Sequence, residues 1–362
     1  MEKRAMTIAF YIASPTWGGG EQNIFDLASA ITRQGKVKTI FFFPQGSRQT
    51  MVDRFAQIGM CPTFPYARKL FRFSPFAAWQ LARLLQKYEV DILHINSRFS
   101  YFQAAMAKRI CRRSIQLVAG QHLVRRATDN LLWRWAYRQI DTLICVSRLV
   151  RETYIPTDLE TVFPRITVIH NSVNLSQDKQ NTPDYSTARL IYHGRICAEK
   201  GVCELVKALE QVQDLPWQLD IAGTVAPEYR TRWEKALENS PIRDRIHLLG
   251  FRNDIRSLLS SYSIGVLPSI VPEACSLTLL ENMAYGLATV SSDNGSEPEF
   301  INNGDNGLLV RAGDMEALAT ALRSLISDPS LRQRLGKQAR QDFQDKHNYD
   351  LFIAQMNTIY GL

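Results

Sequence analysis

Glu273 and Glu281 stand eight residues apart in "PSIVPEACSLTLLENMAYG" (268–286). The first lies in a Pro-bounded loop, the second about two turns into a helical pattern that starts near Ser276. The free amides of such a helix start favour an anion. A second stretch, "YHGRICAEKGV" (192–202), reads as a strand ending in Gly194 and Arg195, then a turn carrying Glu199, Lys200 and Gly201. Arg195 supplies a planar fork and Lys200 a mobile point charge, a combination suited to gripping a diphosphate. Taken alone, an Arg and a Lys five apart describe an ordinary solvated surface. A third stretch, "DNGSEPEFI" (293–301), is a strand-to-helix loop with Gly295, Pro298 and Glu299.

Near the start, "YIASPTWGGGEQNIFDLASAI" (11–31) sets Gly18, Gly19 and Gly20 between a strand-like and a helix-like run. A dinucleotide fingerprint requires a third glycine where Asn23 stands, and no acid closes the following strand, so a nicotinamide oxidoreductase is excluded. No Gly-Lys-Ser/Thr forms a phosphate-binding Walker loop. Two readings stay open: an anion site on a helix start, or a tight turn. No Asp-x-Asp pair occurs anywhere in the chain. Where a phosphate group is bound, Arg195, Lys200 and helix amides can supply the positive charge, so no metal or cofactor is required.

The elements that must carry these residues alternate. Strand patterns are "TIAFYIA" (7–13), "VKTIFFF" (37–43), "DILHINS" (91–97), "IQLVAGQH" (115–122), "TLICVS" (142–147) and "ITVIHN" (166–171). Between them lie helical patterns such as Ile24, Leu27, Ala28 and Ile31. A polar, aperiodic stretch, "NLSQDKQNTPDYSTA" (174–188), interrupts the alternation. It resumes with "LIYHGR" (190–195), "WQLDIAG" (217–223), "RIHLLGF" (245–251), "IGVLPS" (264–269), "ATVSSD" (288–293) and "GLLV" (307–310), then turns helical from Asp314. Apolar strands alternating with helices predict parallel sheets covered on both faces. The chain reads as two doubly wound α/β domains, with ligands at the carboxyl ends of the strands in a cleft between them.

Length and composition agree. The 362 residues suit two domains of roughly 150 to 200 residues. No apolar run approaches the roughly 20 residues a membrane span needs, and the basic-then-apolar start reads as a buried strand rather than a signal peptide. Six scattered cysteines without CxxC spacing read as reduced thiols in the cytoplasm. The net charge of +8 is uneven: residues 1–180 hold 25 Lys and Arg against 12 Asp and Glu, and the remainder 18 against 23. Arg68, Lys69 and Arg72 alternate with aromatics in "YARKLFRFSPFAAW" (66–79), and "KRICRR" (108–113) and "VRRA" (124–127) add Arg112, Arg113, Arg125 and Arg126. Such a patch suits an anionic membrane surface or a phosphorylated acceptor; a solvated helix face is the plain alternative. No RNA-binding motif points to nucleic acid.

Taken together, the order Gly-Arg…Glu-Lys-Gly, Glu-x7-Glu with "NMAYG", and Gly-x-x-Pro-Glu resembles the retaining glycosyltransferases of the GT-B fold, the large group called family 4. "VIHNSVN" (168–174), Gly18-Gly19-Gly20-Glu21, His94 and Ser147 are similar to family positions as well, though less specifically. The resemblance implies two Rossmann-like domains. Residues 1–174 would bind the acceptor, 175–188 would link, 189–345 would bind the nucleotide sugar, and 346–362 would return to the first domain. It implies that Arg195 and Lys200 hold the donor diphosphate, that Glu281 accepts from ribose hydroxyls, and that Glu273 lies beside the donor sugar. Gly19, Gly20, Gly194 and the amides of Cys275, Ser276 and Leu277 would complete the donor site, and His122 would face the transferred sugar. The expected activity moves a hexose-type sugar from a UDP-type donor to a lipopolysaccharide core or another membrane-anchored glycan, by an enzyme peripheral to the inner membrane face. Ala274-Cys275-Ser276 departs from the family's Gly-Phe-Gly, and Gly223-Thr224-Val225 from its Gly-x-Gly, which leaves the donor sugar open. Two rivals share the fold: a nucleotide-sugar 2-epimerase, and a non-catalytic scaffold.

Overall fold

The structure is a computed structural model that describes residues 4–13, 17–64, 73–175, 183–252 and 254–362. The chain divides into two compact units: Met1–Asn171 together with Asp350–Leu362, and Ser172–Tyr349. Of the expected patch, Arg68, Lys69 and Arg72 lie outside the described residues, as do 176–182 of the polar stretch at 174–188. The end of that stretch is built into the second unit: Tyr185 is buried, and its hydroxyl donates to Gly286 O at 2.7 Å.

The first unit is a parallel sheet of β1 (Met6–Tyr11), β2 (Val37–Pro44), β3 (Thr63–Phe64), β4 (Ile92–Ile95), β5 (Gln116–Gln121), β6 (Thr142–Cys145) and β7 (Ile166–Val168). Their order across the sheet is β3-β2-β1-β4-β5-β6-β7. Ala9 pairs with Ile40 on one side and Leu93 on the other, so the chain reverses its winding between β1 and β4. Ile8, Ala9, Phe10 and Phe41 to Phe43 are buried because helices cover both faces. The helix Gly19–Arg33 buries Ile24, Leu27, Ala28 and Ile31, as their spacing predicts. Each such isoleucine or leucine contributes about 1.5–3 kcal/mol if fully buried.

The second unit is a parallel sheet of β8 (Arg189–His193), β9 (Gln218–Ala222), β10 (Ile246–Gly250), β11 (Ile264–Leu267), β12 (Ala288–Ser292) and β13 (Leu308–Val310). The order β10-β9-β8-β11-β12-β13 puts the reversal between β8 and β11. The helices Met315–Ser327 and Pro329–Asp342 stay with this unit, where Leu322, Leu325, Leu335 and Ala339 join its core. Only the helix Tyr349–Tyr360 returns to the first unit. There Tyr360 bonds His94 through its hydroxyl, both buried, and Gln116 donates to Ile359 O at 3.0 Å.

Candidate active site

In the second unit the residues after β8 and after β11 meet at the point of reversal, where doubly wound sheets bind ligands. Gly194 closes β8 with φ 150°, and a Cβ on Gly223 would stand 1.8 Å from Gly194 O, so the ends of β8 and β9 touch. Arg195 is exposed at this edge, and its carbonyl accepts from the Tyr192 hydroxyl at 2.6 Å. The turn Ala198–Lys200 ends at Gly201, whose φ of 65° suits glycine. A Cβ there would lie 2.0 Å from Pro268 O. That close approach, with Ile270 N donating to Glu199 O at 2.8 Å, locks the turn onto the loop after β11.

The result is an ion pair between Lys200 Nζ and Glu273, 73 positions apart in sequence. The Ser269 hydroxyl donates to the same Glu273 oxygen at 2.7 Å, which fixes the carboxylate. Ser276 caps the helix Leu277–Tyr285, accepting from Leu279 N at 3.3 Å, and Gly286 (φ 76°) ends it. Glu281 thus lies little more than one turn into the helix, not two. Ala274, Cys275 and Ser276 have no positive φ, so the family glycines they replace are not needed for this loop's backbone.

Glu281 is clamped from two sides. Arg256 Nε donates to it at 2.9 Å, and His193 Nδ1 lies 3.5 Å away. His193 Nε2 in turn meets Asn282 Oδ1 at 2.9 Å, and Gly265 makes room: its Cβ would fall 2.2 Å from Asn282 Nδ2. The sequence reading missed Arg256, His193 and Asn282. Asn282 could have been found beside Glu281; Arg256, 25 positions away, carries no local signal.

It also missed Glu297. This residue is 2% exposed, and neither carboxyl oxygen has a hydrogen-bond partner. A Cβ on Gly295 would meet Glu297 Oε2 at 2.2 Å and Glu273 N at 2.5 Å, so this acid backs directly onto the Glu273 loop. Burial pushes its carboxyl up to about 8, against the pull of its own backbone amide and of Lys200 and with the support of the Glu273 charge. At neutral pH it is a neutral acid.

The first unit places the other expected residues. Gly19 and Gly20 are not in a loop but form the first turn of their helix, with Gly18 as an uncapped, extended N-cap. A Cβ on Gly20 would touch nothing within 4 Å, so its packing does not require glycine. His122 follows β5; its Nε2 is buried without a partner, and burial lowers its imidazole to about 4. Arg112 and Arg113 precede β5, whereas Arg125 and Arg126 follow it. The two pairs flank opposite ends of one strand, and closeness in sequence had hidden this. Arg113 is also engaged, with Asp91 at 3.2 Å and Glu89 at 3.9 Å. Among the described residues no cluster of three or more His, Cys, Asp or Glu is placed to hold a metal, and no helix is long and apolar enough to cross a membrane.

Solved structures share this architecture. A glycosyltransferase from Rickettsia africae superposes with a TM-score of 0.84 at 21% identity, covering 99% of this chain and 98% of the other. Anabaena HepE in complex with UDP gives 0.81 at 20%, covering 99% and 100%. Two doubly wound units of this form define a GT-B glycosyltransferase fold.

Residues 175–342 match the model for Glycosyl transferases group 1, and residues 17–177 that for Glycosyltransferase Family 4. The chain belongs to the group 1 glycosyltransferases of the GT-B fold. Curated relatives include the N-acetyl-alpha-D-glucosaminyl L-malate synthase of Bacillus anthracis, 26% identical over 80% of both chains. Another is the lipopolysaccharide core biosynthesis glycosyltransferase LpsD of Rhizobium meliloti, 24% identical over 93% of this chain and 94% of that one.

Proposed function

We propose that this glycosyltransferase is a retaining, metal-independent hexosyltransferase using a UDP-sugar. The observation that carries the reading is the Lys200–Glu273 ion pair at the reversal of the second sheet. It sets one cation for the departing diphosphate beside one acid for the sugar. Arg195, exposed at the same edge, adds a second cation. Together with the capped helix start at Ser276, they stabilise the leaving group by preorganised charge. Glu281, held by Arg256 and His193, presents an oriented carboxylate to ribose hydroxyls. His122, neutral at working pH, positions the transferred sugar rather than taking a proton from it, and the leaving phosphate accepts the acceptor's proton. The complex of HepE with UDP and glucose and the lipopolysaccharide functions of relatives favour a UDP donor and an envelope glycan acceptor.

Docking on the cytoplasmic face of the membrane fits the exposed Phe76, Trp79, Leu131 and Leu132 of the first unit together with exposed Arg126. The test is binding and slow hydrolysis of a panel of nucleotide sugars, with EDTA present, on wild type and Arg195→Ala. Turnover of one donor that resists EDTA and disappears in the variant is the expected result. Interconversion of the donor to its epimer without acceptor would replace the transferase with the epimerase, and failure to bind any donor would leave a scaffold.

A further inference from the structure

Two arginines at the carboxyl ends of β4 and β5 have no counter-charge among the described residues. Arg98 opens the helix Arg98–Ile110 just after β4, and Arg125 lies four residues past the end of β5. Both are half-buried, and the Nε of each is closed off from solvent without a hydrogen-bond partner. The acids nearby are already committed. Arg134 takes Asp129 with bonds of 2.6 and 2.8 Å and Asp158 at 3.4 Å, and Arg151 takes Glu160.

Arg125 instead lies within range of the Arg98 charge and of three phenols, Tyr154, Tyr101 and Tyr137; the Tyr101 hydroxyl donates to Gly120 O at 3.2 Å. Burial, then the like charge of Arg98, holds the Arg125 guanidinium below the usual arginine range. Arg98 Cζ lies 5.9 Å from the centre of the Trp133 ring, which orients the guanidinium without neutralising it. The same sheet edge carries His122, whose Nε2 also lacks a partner.

A guanidinium Nε buried without an acceptor has given up hydration for nothing, and a like neighbour adds repulsion. The deficit ends if a ligand brings an oxyanion, whose geometry matches the arginine fork. We propose that Arg98 and Arg125 form an oxyanion subsite for a phosphate or carboxylate group carried by the acceptor. This rests on the reading of the first unit as the acceptor side.

The full-length protein, saturated with UDP to occupy Arg195 and Lys200, is titrated calorimetrically with mannose 6-phosphate, glucuronate and mannose. At least one anionic sugar should bind at millimolar concentration where mannose does not. Arg98→Gln and Arg125→Gln should each weaken that binding about tenfold or more. Preference for mannose 6-phosphate names a phosphomonoester; preference for glucuronate names a carboxylate. Arg125→Lys, which keeps the charge and loses the fork, should fall between wild type and Arg125→Gln and guards against a Gln variant that fails to fold.

Unchanged binding in folded variants, binding no better than that of mannose, or binding lost in Lys200→Ala instead overturns the subsite. Donor hydrolysis is read separately. A protein that turns over no nucleotide sugar yet binds the anionic sugars through these arginines loses the transferase reading and keeps the subsite.

Discussion

In the second unit Arg332, only 1% exposed, donates to the carbonyls of Tyr185, Ser186, Leu325 and Ile326. In the first, Arg98 and Arg125 donate to none of the described residues. The site residues divide the same way. Lys200, Glu273 and Ser269 satisfy one another, as do Arg256, Glu281 and His193, before any ligand arrives. In the first unit His122 shares the edge with the two unmatched arginines. The charged groups of the second unit are organised in advance, and on the proposed reading a donor inserts into groups already oriented. The first is short of negative charge, and its ligand has to supply it.

The largest test of this contrast is Lys200→Ala. Removing a preorganised cation should lower turnover by roughly 10²–10³, with far-ultraviolet circular dichroism unchanged; wild-type activity would remove Lys200 from the diphosphate. Next is a paired comparison by denaturant unfolding. Arg332→Met strands buried carbonyls and should cost about 3 kcal/mol, whereas Arg125→Met should stay within about 1 kcal/mol of wild type or exceed it. Equal losses would mean that both arginines are structural. Glu281→Gln keeps the shape and loses the charge. It should raise the donor KM about tenfold with a smaller change in kcat, read from initial rates.

The smallest effect is on pH and comes from Glu297. Its carboxyl is raised in the fold, so the native state holds a proton that the unfolded chain releases. The stability it gives is complete below about pH 4.5 and is lost as pH rises to about 8. Glu297→Gln should therefore melt progressively above wild type across that interval. His94 acts with the opposite sign. Burial, aided by His122, lowers its imidazole to about 3, so stability falls as pH drops below about 6.5. Melting curves that do not move with pH would show that neither group is held as its surroundings imply.

Most strands were legible because the central ones, buried on both faces, are rich in apolar residues; β10 was legible too, although most of it is exposed. The two-residue β3 was not, since Thr63 and Phe64 are too few to form a pattern. Arg195, Lys200, Glu273 and Glu281 were picked out by the order and spacing of three motifs, and the fold brings Lys200 and Glu273 together. Their other partners were not picked out. Arg256 reaches Glu281 from another helix, and Glu297, a glutamate in a polar loop, gives no sign of being buried. The glycines at 18–20 suggested a loop because glycine is a poor helix former, but the first turn of a long amphipathic helix tolerates them.

The helix Tyr349–Tyr360, docked through Tyr360 on His94, also sets a timetable. The first unit is translated first, yet its last piece is separated from Asn171 by the whole of the second unit. At roughly 5–20 residues per second, the ribosome takes on the order of ten seconds or more to cover that interval. Throughout it His94 and Gln116 lack the partners that Tyr360 and Ile359 give them, while the second unit can close as soon as it emerges. The half made first is therefore the half finished last.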